Sequence, residues 1–341
     1  MAALTATHPT LLDLKARMDD NGSIAPIIEI LDQNNDILDD MVWIEGNQTT
    51  GHKTTMRSGI PEPIFRKLYG GVQPTKSRTL QIIDNCGMLE SYAEIDKALA
   101  DLNGNTAEWR LSEEIPFIEG FNQKLSRYTF YGNEATEPEG FTGLAPRYNS
   151  LGAENGSNII TETAGVAPDN SDNASIWCVV WGPNTAHMIY PKGSQAGLQV
   201  EDKGQVTVEN VDGANGRAEM YRTHYRWDCG LTVRDWRYVT RIQINQEDLT
   251  KDAASGPDIM DLMAQALEVI PNINSGRAAF YCNRKVRGFL RRQLMNKTKQ
   301  STLSIEEITR ANGSRVHMLM YDGIPVRRCD QLTITEAGVG A

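Results

Sequence analysis

The stretch that most limits how this chain can fold lies at 41–86. Two strand-like runs, MVWIEGNQTTGHKTTMR at 41–57 and SRTLQIIDNC at 77–86, flank a segment studded with Gly and Pro, SGIPEPIFRKLYGGVQPTK. The first run is rich in Thr and the second alternates around Leu80 and Ile82, both strand signals. Joined by so long a tip, they predict an extended hairpin. The tip carries Ile60, Ile64, Phe65, Leu68 and Tyr69. Left in water, such a patch is an aggregation hazard. Two resolutions stand open: the tip folds back on its own core, or it lies on another subunit.

Composition narrows the classes. Of 341 residues, 40% are apolar and 23% charged, globular values that exclude wholesale disorder. The length suits one large domain or two ordinary ones, with no need of covalent staples. Mean hydropathy is −0.43, and no apolar run approaches the ~20 residues of a membrane span. The first residues, MAALTATHPTLLDLKARM, lack the charged and apolar regions of a secretory signal. Charge is unevenly placed. Residues 1–170 hold 13 Lys+Arg and 25 Asp+Glu, a net of −12, whereas 171–341 hold 21 and 19, a net of +2. Within 277–328 there are 12 basic and 3 acidic residues, a net of +9. A sequence-specific nucleic-acid reader is usually basic overall. This polarity instead favours head-to-tail contact between copies. Cys86, Cys178, Cys229, Cys282 and Cys329 are widely spaced with no CxxC pair, which excludes clustered structural zinc and suits buried free thiols in a reducing compartment.

Residues 1–38 read as an arm with one weak amphipathic stretch, Leu11, Leu12, Leu14 and Met18. A short helix is predicted over 91–102, from a Ser91/Glu94 capping box and the face Ile95, Ala98, Leu99 and Leu102. A long helix follows over about 105–131, with Leu111, Ile115, Ile118, Phe121 or Asn122, Leu125 and Tyr128 on one stripe and Pro116 as a bend or first turn. At ~1.5 Å per residue it spans ~40 Å, a beam crossing a domain. Residues 132–176 are loop-rich. IWCVVWG (176–182) reads as a buried strand, and 217–245 as long β-type runs with Gly230 between them. The clearest helix is 258–270, opened by Ser255 and Asp258 and closed by Pro271. AAFYCN (278–283) is a strand and 284–297 a basic amphipathic helix. The last strands are RVHMLMYD (315–322) and VRRCDQLTITE, joined by the turn Gly323-Ile324-Pro325.

No catalytic or phosphate-binding spacing appears: GxGxxG, GxxxxGK[ST], HExxH and GxSxG are all missing. His8, His52, His187, His224 and His317 are scattered, with no second ligand at helical spacing. His224 shares a strand face with Arg222 and Arg226, which makes charging it costly. Glu113 and Glu114 point apart on a helix and form no carboxylate dyad; they read as a solvated face. Cys229 and Cys282, in apolar strands, should be inert. Tyr225, Trp227, Trp236 and Tyr238 alternate with polar residues, as a sheet core does, rather than as a stacking platform for bases. The basic helix carries Arg284, Lys285, Arg287, Arg291, Arg292 and Lys297, with Lys299 just beyond. These residues form an exposed face or inter-subunit ion pairs, or they meet phosphates without reading bases. No catalytic residue, metal site or cofactor is expected.

The order of elements is itself informative: arm, extended hairpin, long helix, Gly-rich passage, mixed α/β region. Three runs add to it. Tyr131-Gly132-Asn133 leads to Pro138-Glu139-Gly140-Phe141-Thr142-Gly143-Leu144, Asp322-Gly323-Ile324-Pro325-Val326 lies near the end, and Gly230-Leu231-Thr232-Val233-Arg234-Asp235 leads into Arg241-Ile242. Over nearly its whole length the chain resembles the major capsid proteins of tailed bacteriophages, the HK97-type fold, and most resembles those of short-tailed phages of the epsilon15 and BPP-1 kind. The resemblance implies an α+β fold with an N-terminal arm at 1–40, an E-loop at 41–86 and a P-domain at 87–150 with its spine helix at about 105–131, completed by later long strands. It further implies an A-domain occupying most of 151–320 and a C-terminal strand and tail at 321–341. The E-loop would lie over a neighbour's P-domain through Ile60, Ile64, Phe65, Leu68 and Tyr69.

The implied function is a self-assembling icosahedral head enclosing double-stranded DNA, built of hexamers and pentamers in the host bacterial cytoplasm. The implied partners are a separate scaffolding protein, since the chain opens on the arm, a portal, and a cementing protein. DNA contact would be non-specific, with no membrane. Lys53, Lys67 and Lys76 are the E-loop lysines available for covalent cross-linking, and none is expected to form one. Two other readings remain at this level: an encapsulin-like compartment of the same fold, and a monomeric α/β hydrolytic enzyme built on scattered carboxylates.

Overall fold

The computed structural model describes residues 9, 35–102, 106–163, 166, 168, 172–209, 216–250, 256–296, 303–309 and 315–340. His8, the amphipathic stretch at Leu11–Met18, Ser255, Lys297 and Lys299 lie outside these.

The chain enters through a one-turn helix, α1 (Ile37–Asp40), a short strand β1 (Trp43–Glu45) and the hairpin strands β2 (Gly51–Gly59) and β3 (Arg78–Asp96). A single turn, α2 (Lys97–Ala100), precedes the long helix α3 (Thr106–Tyr131). Then come β4 (Ile159–Thr161), β5 (Asn173–Trp181), β6 (Ala186–Tyr190), β7 (Gln199–Glu209), β8 (Arg217–Val233) and β9 (Val239–Asn245). Helix α4 (Ile259–Val269), strand β10 (Arg277–Cys282) and helix α5 (Arg284–Asn296) lead to β11 (Leu303–Thr309), β12 (Arg315–Tyr321) and β13 (Ile324–Arg328). The strands join in the order β11-β12-β13-β10-β5-β6-β8-β3-β2, with β1 beside β6, β7 beside β8, and β9 between β4 and β5.

β5 shows why the centre is built as it is. Its residues NASIWCVVW are all buried, as in a strand covered on both faces. Side chains alternate across it. Ile176, Cys178 and Val180 face one core, with Ile259, Met263 and Ala266 of α4 and Val286 and Leu290 of α5. Trp177, Val179 and Trp181 face the other, with Leu125 and Phe130 of α3, Ile37 and Tyr148. One period-2 strand thus separates two helical layers.

β3 does two jobs. Its first half pairs β2 from Asn85↔Gly51 to Thr79↔Arg57, and its second half pairs β8 from Cys86↔Gly230 to Asp96↔Met220. α3 crosses the β3–β8 platform, where Phe117 and Phe121 meet Tyr225 and Trp109 packs near Ile95 and Ala100.

Several sequence expectations are corrected here. The helix foreseen at 91–102 is strand as far as Asp96: Ala93 and Ile95 are buried with period 2, and Glu94 binds the cross-strand Arg222 (2.6 Å) instead of closing a capping box. Asp96, not Ser91, caps the single turn that follows, accepting from the Ala98 amide at 2.7 Å. A ladder with β8 outweighs a local capping signal. The run 41–57 is two strands, because β1 turns away to pair in parallel with β6. Gly230 is no break: it lies within β8, where a Cβ would sit 2.7 Å from the Asn85 carbonyl. The break comes at Trp236–Tyr238, a 3-10 turn capped by Asp235, so Trp236 and Tyr238 leave the strand and are half-buried. Tyr225 is core as expected, and Trp227 is half-buried against Trp43. β5 starts at Asn173, and the final strand ends at Arg328, well short of Glu336. No described helix is long and apolar enough to cross a membrane.

Candidate functional site

The hairpin has a built root and a bare tip. At the root, Asn47 and Lys53 exchange two side-chain–backbone hydrogen bonds of 2.8 Å. Asp84 on β3 accepts from Arg147 at 2.8 Å, and the same guanidinium nitrogen reaches the Thr142 and Leu231 carbonyls. Asn85 donates to Glu134. Beyond Gly59 the ladder stops, and 60–77 forms no strand. Phe65 and Tyr69 are as exposed as in an extended peptide, and Ile60 and Leu68 are each 87% exposed, with Ile64 at 58%. The fold-back alternative does not occur within the subunit.

A second apolar surface emerges on α3. Only the C-terminal half of its apolar stripe is core: Phe121 and Leu125 are buried, while Leu111, Ile115 and Ile118 are 59%, 43% and 50% exposed. The helix packs the platform through Trp109 at its start and turns the intervening stripe outward. The two surfaces carry opposite charge: 51–80 holds six basic residues and one acidic, and 106–120 holds four acidic and one basic. Glu114, taken as solvated, is half-buried and accepts from Thr223 at 2.6 Å.

The basic helix α5 is amphipathic, with Val286 and Leu290 in the core. Arg284 pairs with Asp330 at 3.0 Å, Lys285 donates to Gln246 at 2.7 Å, and Arg287 is half-buried. Arg291 and Arg292 face outward, the latter over the Phe289 ring. Two buried carboxylates fix the chain's ends onto the body. Asp40 receives both arms of Arg327 (2.9 and 3.0 Å) and the Tyr281 hydroxyl (3.1 Å). Glu336 receives Arg241 at 2.7 Å together with the hydroxyls of Tyr131 and Ser175. Neither lock was legible in sequence, since the partners stand from 95 to 287 positions apart.

Among the described residues, no three His, Cys, Asp or Glu gather as a metal site. The cysteines are free thiols, and Cys86 is half-buried rather than buried. Burial, then Asp228 and Asp84, push its thiol up to about 12, and burial, then Cys86 and Asp228, hold the Cys229 thiol far above its ordinary value. One pairing escaped the sequence reading: His52 on β2 and His187 on β6 meet with ring centroids 5.9 Å apart.

Comparison with known proteins agrees with this architecture. The family described as "Major capsid protein GP7" matches residues 19–340. No curated protein sequence matches the chain. The solved near-atomic structure of bacteriophage epsilon15 is 37% identical, covers 100% of both chains and superposes with a TM-score of 0.79. The bacteriophage JBD30 capsid shares the fold at 9% identity, covering 88% of this chain and 92% of its own, with a TM-score of 0.50. Matched over nearly all of its length by that family and end to end by the epsilon15 chain, with an α+β HK97-like architecture, the chain belongs to the major capsid protein GP7 family of bacteriophages.

Proposed function

We propose that this capsid protein closes an icosahedral head around double-stranded DNA by covering each hairpin tip with a neighbouring copy. The observation that carries the reading is the bare tip: Phe65, Leu68 and Tyr69 have no intramolecular cover. A basic apolar tip and an acidic apolar helix face are different surfaces, so contacts between copies are heterologous and close into rings, here hexamers and pentamers. The tip lies over the P-domain (87–150) of the next subunit, the A-domains (mainly 151–320) meet at the ring centres, and the arm (1–40) reaches another copy. The contact area per subunit exceeds ~2,000 Å², spread over several neighbours. Maturation shifts the shell between two packings of one chain.

The outward Arg291 and Arg292, with Arg284, Lys285 and Arg287 beside them, supply inter-subunit ion pairs or non-specific phosphate contacts. An otherwise acidic shell leaves the genome unglued. A separate scaffolding protein, a portal and a cementing protein complete the assembly, which forms in the host cytoplasm. The test replaces the tip residues Phe65→Ser and Leu68→Ser together. Both are solvent-exposed, so the subunit folds with an unfolding midpoint close to the parent's. Sedimentation and negative-stain images are then expected to show unassembled subunits. Normal shells from this variant would overturn the reading, and nuclease-protected DNA inside parent particles separates a phage head from a cargo compartment.

A further inference from the structure

The hairpin's root holds two buried histidines beside an arginine. His52 on β2 and His187 on β6 are 5% and 0% exposed, with rings edge to face. An Arg234 guanidinium nitrogen lies 2.9 Å from His52 Nε2. Arginine only donates, so that nitrogen accepts and the neutral ring carries its proton on Nδ1. Protonating Nε2 would place a donor against a donor. Neither ring nitrogen of His187 has a well-formed hydrogen bond, and the nearby Gly182 backbone weakly favours the charged ring against the larger opposing influences.

The charged surroundings are specific. Asp84, the cross-strand partner of His52 on β3, favours a charged His52, but one oxygen is already taken by Arg147. From the end of β8, Arg234 opposes charge on both rings. The flanks of His187 are uncharged: Thr232 of β8 is its register partner, and β1 brings Trp43 and Ile44 beside Met188 and Ile189. Burial first, then Arg234 and the His52 ring, lower His187 to about 4; burial and Arg234 lower His52.

We propose that His52 and His187 form a proton-sensitive joint at the hairpin root, closed while both rings are neutral and loosened when they take protons, so that β2 moves off β6 and its ladder with β3 frays. β3 stays anchored by its ladder with β8. The sign follows from linkage. A ring whose pKa is lower in the closed state than its ordinary 6.5 stabilises closure above 6.5. That stabilisation fades as pH falls towards 4, where further acid adds nothing. Acid therefore swings the hairpin, and with it any contact the tip makes.

Hydrogen exchange on the full-length chain tests this. The opening of 51–59, corrected for intrinsic exchange and referred to core strand β5, is measured between pH 7.5 and 4. It is expected to rise about tenfold to a hundredfold on acidification. His52→Gln with His187→Gln is expected to abolish that rise. If this pair fails to fold, His187→Phe keeps the ring's bulk and removes its titration. An unchanged ratio of β2 to β5 exchange in the parent, or an undiminished rise in a variant, would overturn the joint. The joint belongs to the subunit, so a chain that never built a shell would still show it, and particle size reports that separate question.

Discussion

At the scale of single residues, the molecule depends on charges taken out of water with their partners. Arg241 and Glu336 are 6% and 5% exposed in their side chains. Arg241 also donates to Ser175 (3.0 Å) and to the Tyr148 carbonyl (2.7 Å), and lies over the Trp177 ring. Removing one partner strands the other in a low-dielectric site. Arg241→Met is therefore expected to cost about 3–5 kcal/mol, read as a lowered urea midpoint. Replacing both residues by apolar ones of similar volume should recover most of that loss, and a double variant as unstable as the single would refute the account. Sequence shows an Arg in a β-run and a Glu near the end. It does not show that they meet, because burial of a charge is decided by what folds over it.

At the scale of elements, local signals were reliable where burial agreed with them. α4 was readable to within a residue: its apolar residues keep helical spacing, and the Asp258 carboxylate takes the Met260 and Asp261 amides at 3.2 and 3.3 Å. The 91–102 segment was misread because a capping pattern and an apolar face lost to pairing with β8. The same lesson holds on α3, where periodicity located the helix but not which half of its stripe was core. Exposure of Leu111, Ile115 and Ile118 gives a prediction: Leu111→Ser, Ile115→Ser and Ile118→Ser together should leave subunit stability within about 1 kcal/mol of the parent, as surface changes do. Particle yield should nevertheless fall, as seen by sedimentation. A large drop in the unfolding midpoint would show instead that this face is core.

At the scale of the whole molecule, the extended hairpin leaves its apolar tip uncovered within the subunit, and the proposed shell contacts are what would cover it. Lys53 is held at the root by its backbone bonds to Asn47, and Lys67 and Lys76 stand exposed on the tip. Purified particles heated in SDS are expected to give one band near 37.9 kDa; a ladder of multimers would show covalent joining. The sequence by itself determined the long helix, the hairpin with its apolar tip, the buried strand β5 and the absence of familiar catalytic spacings, since each is written in spacing along a few residues. Only the tertiary structure decided that the tip stays bare, that two distant histidines meet an arginine at its root, and that Asp40 and Glu336 lock the ends of the chain. Those facts depend on which faces the packed sheet covers, and coverage is a property of the whole chain rather than of any stretch of it.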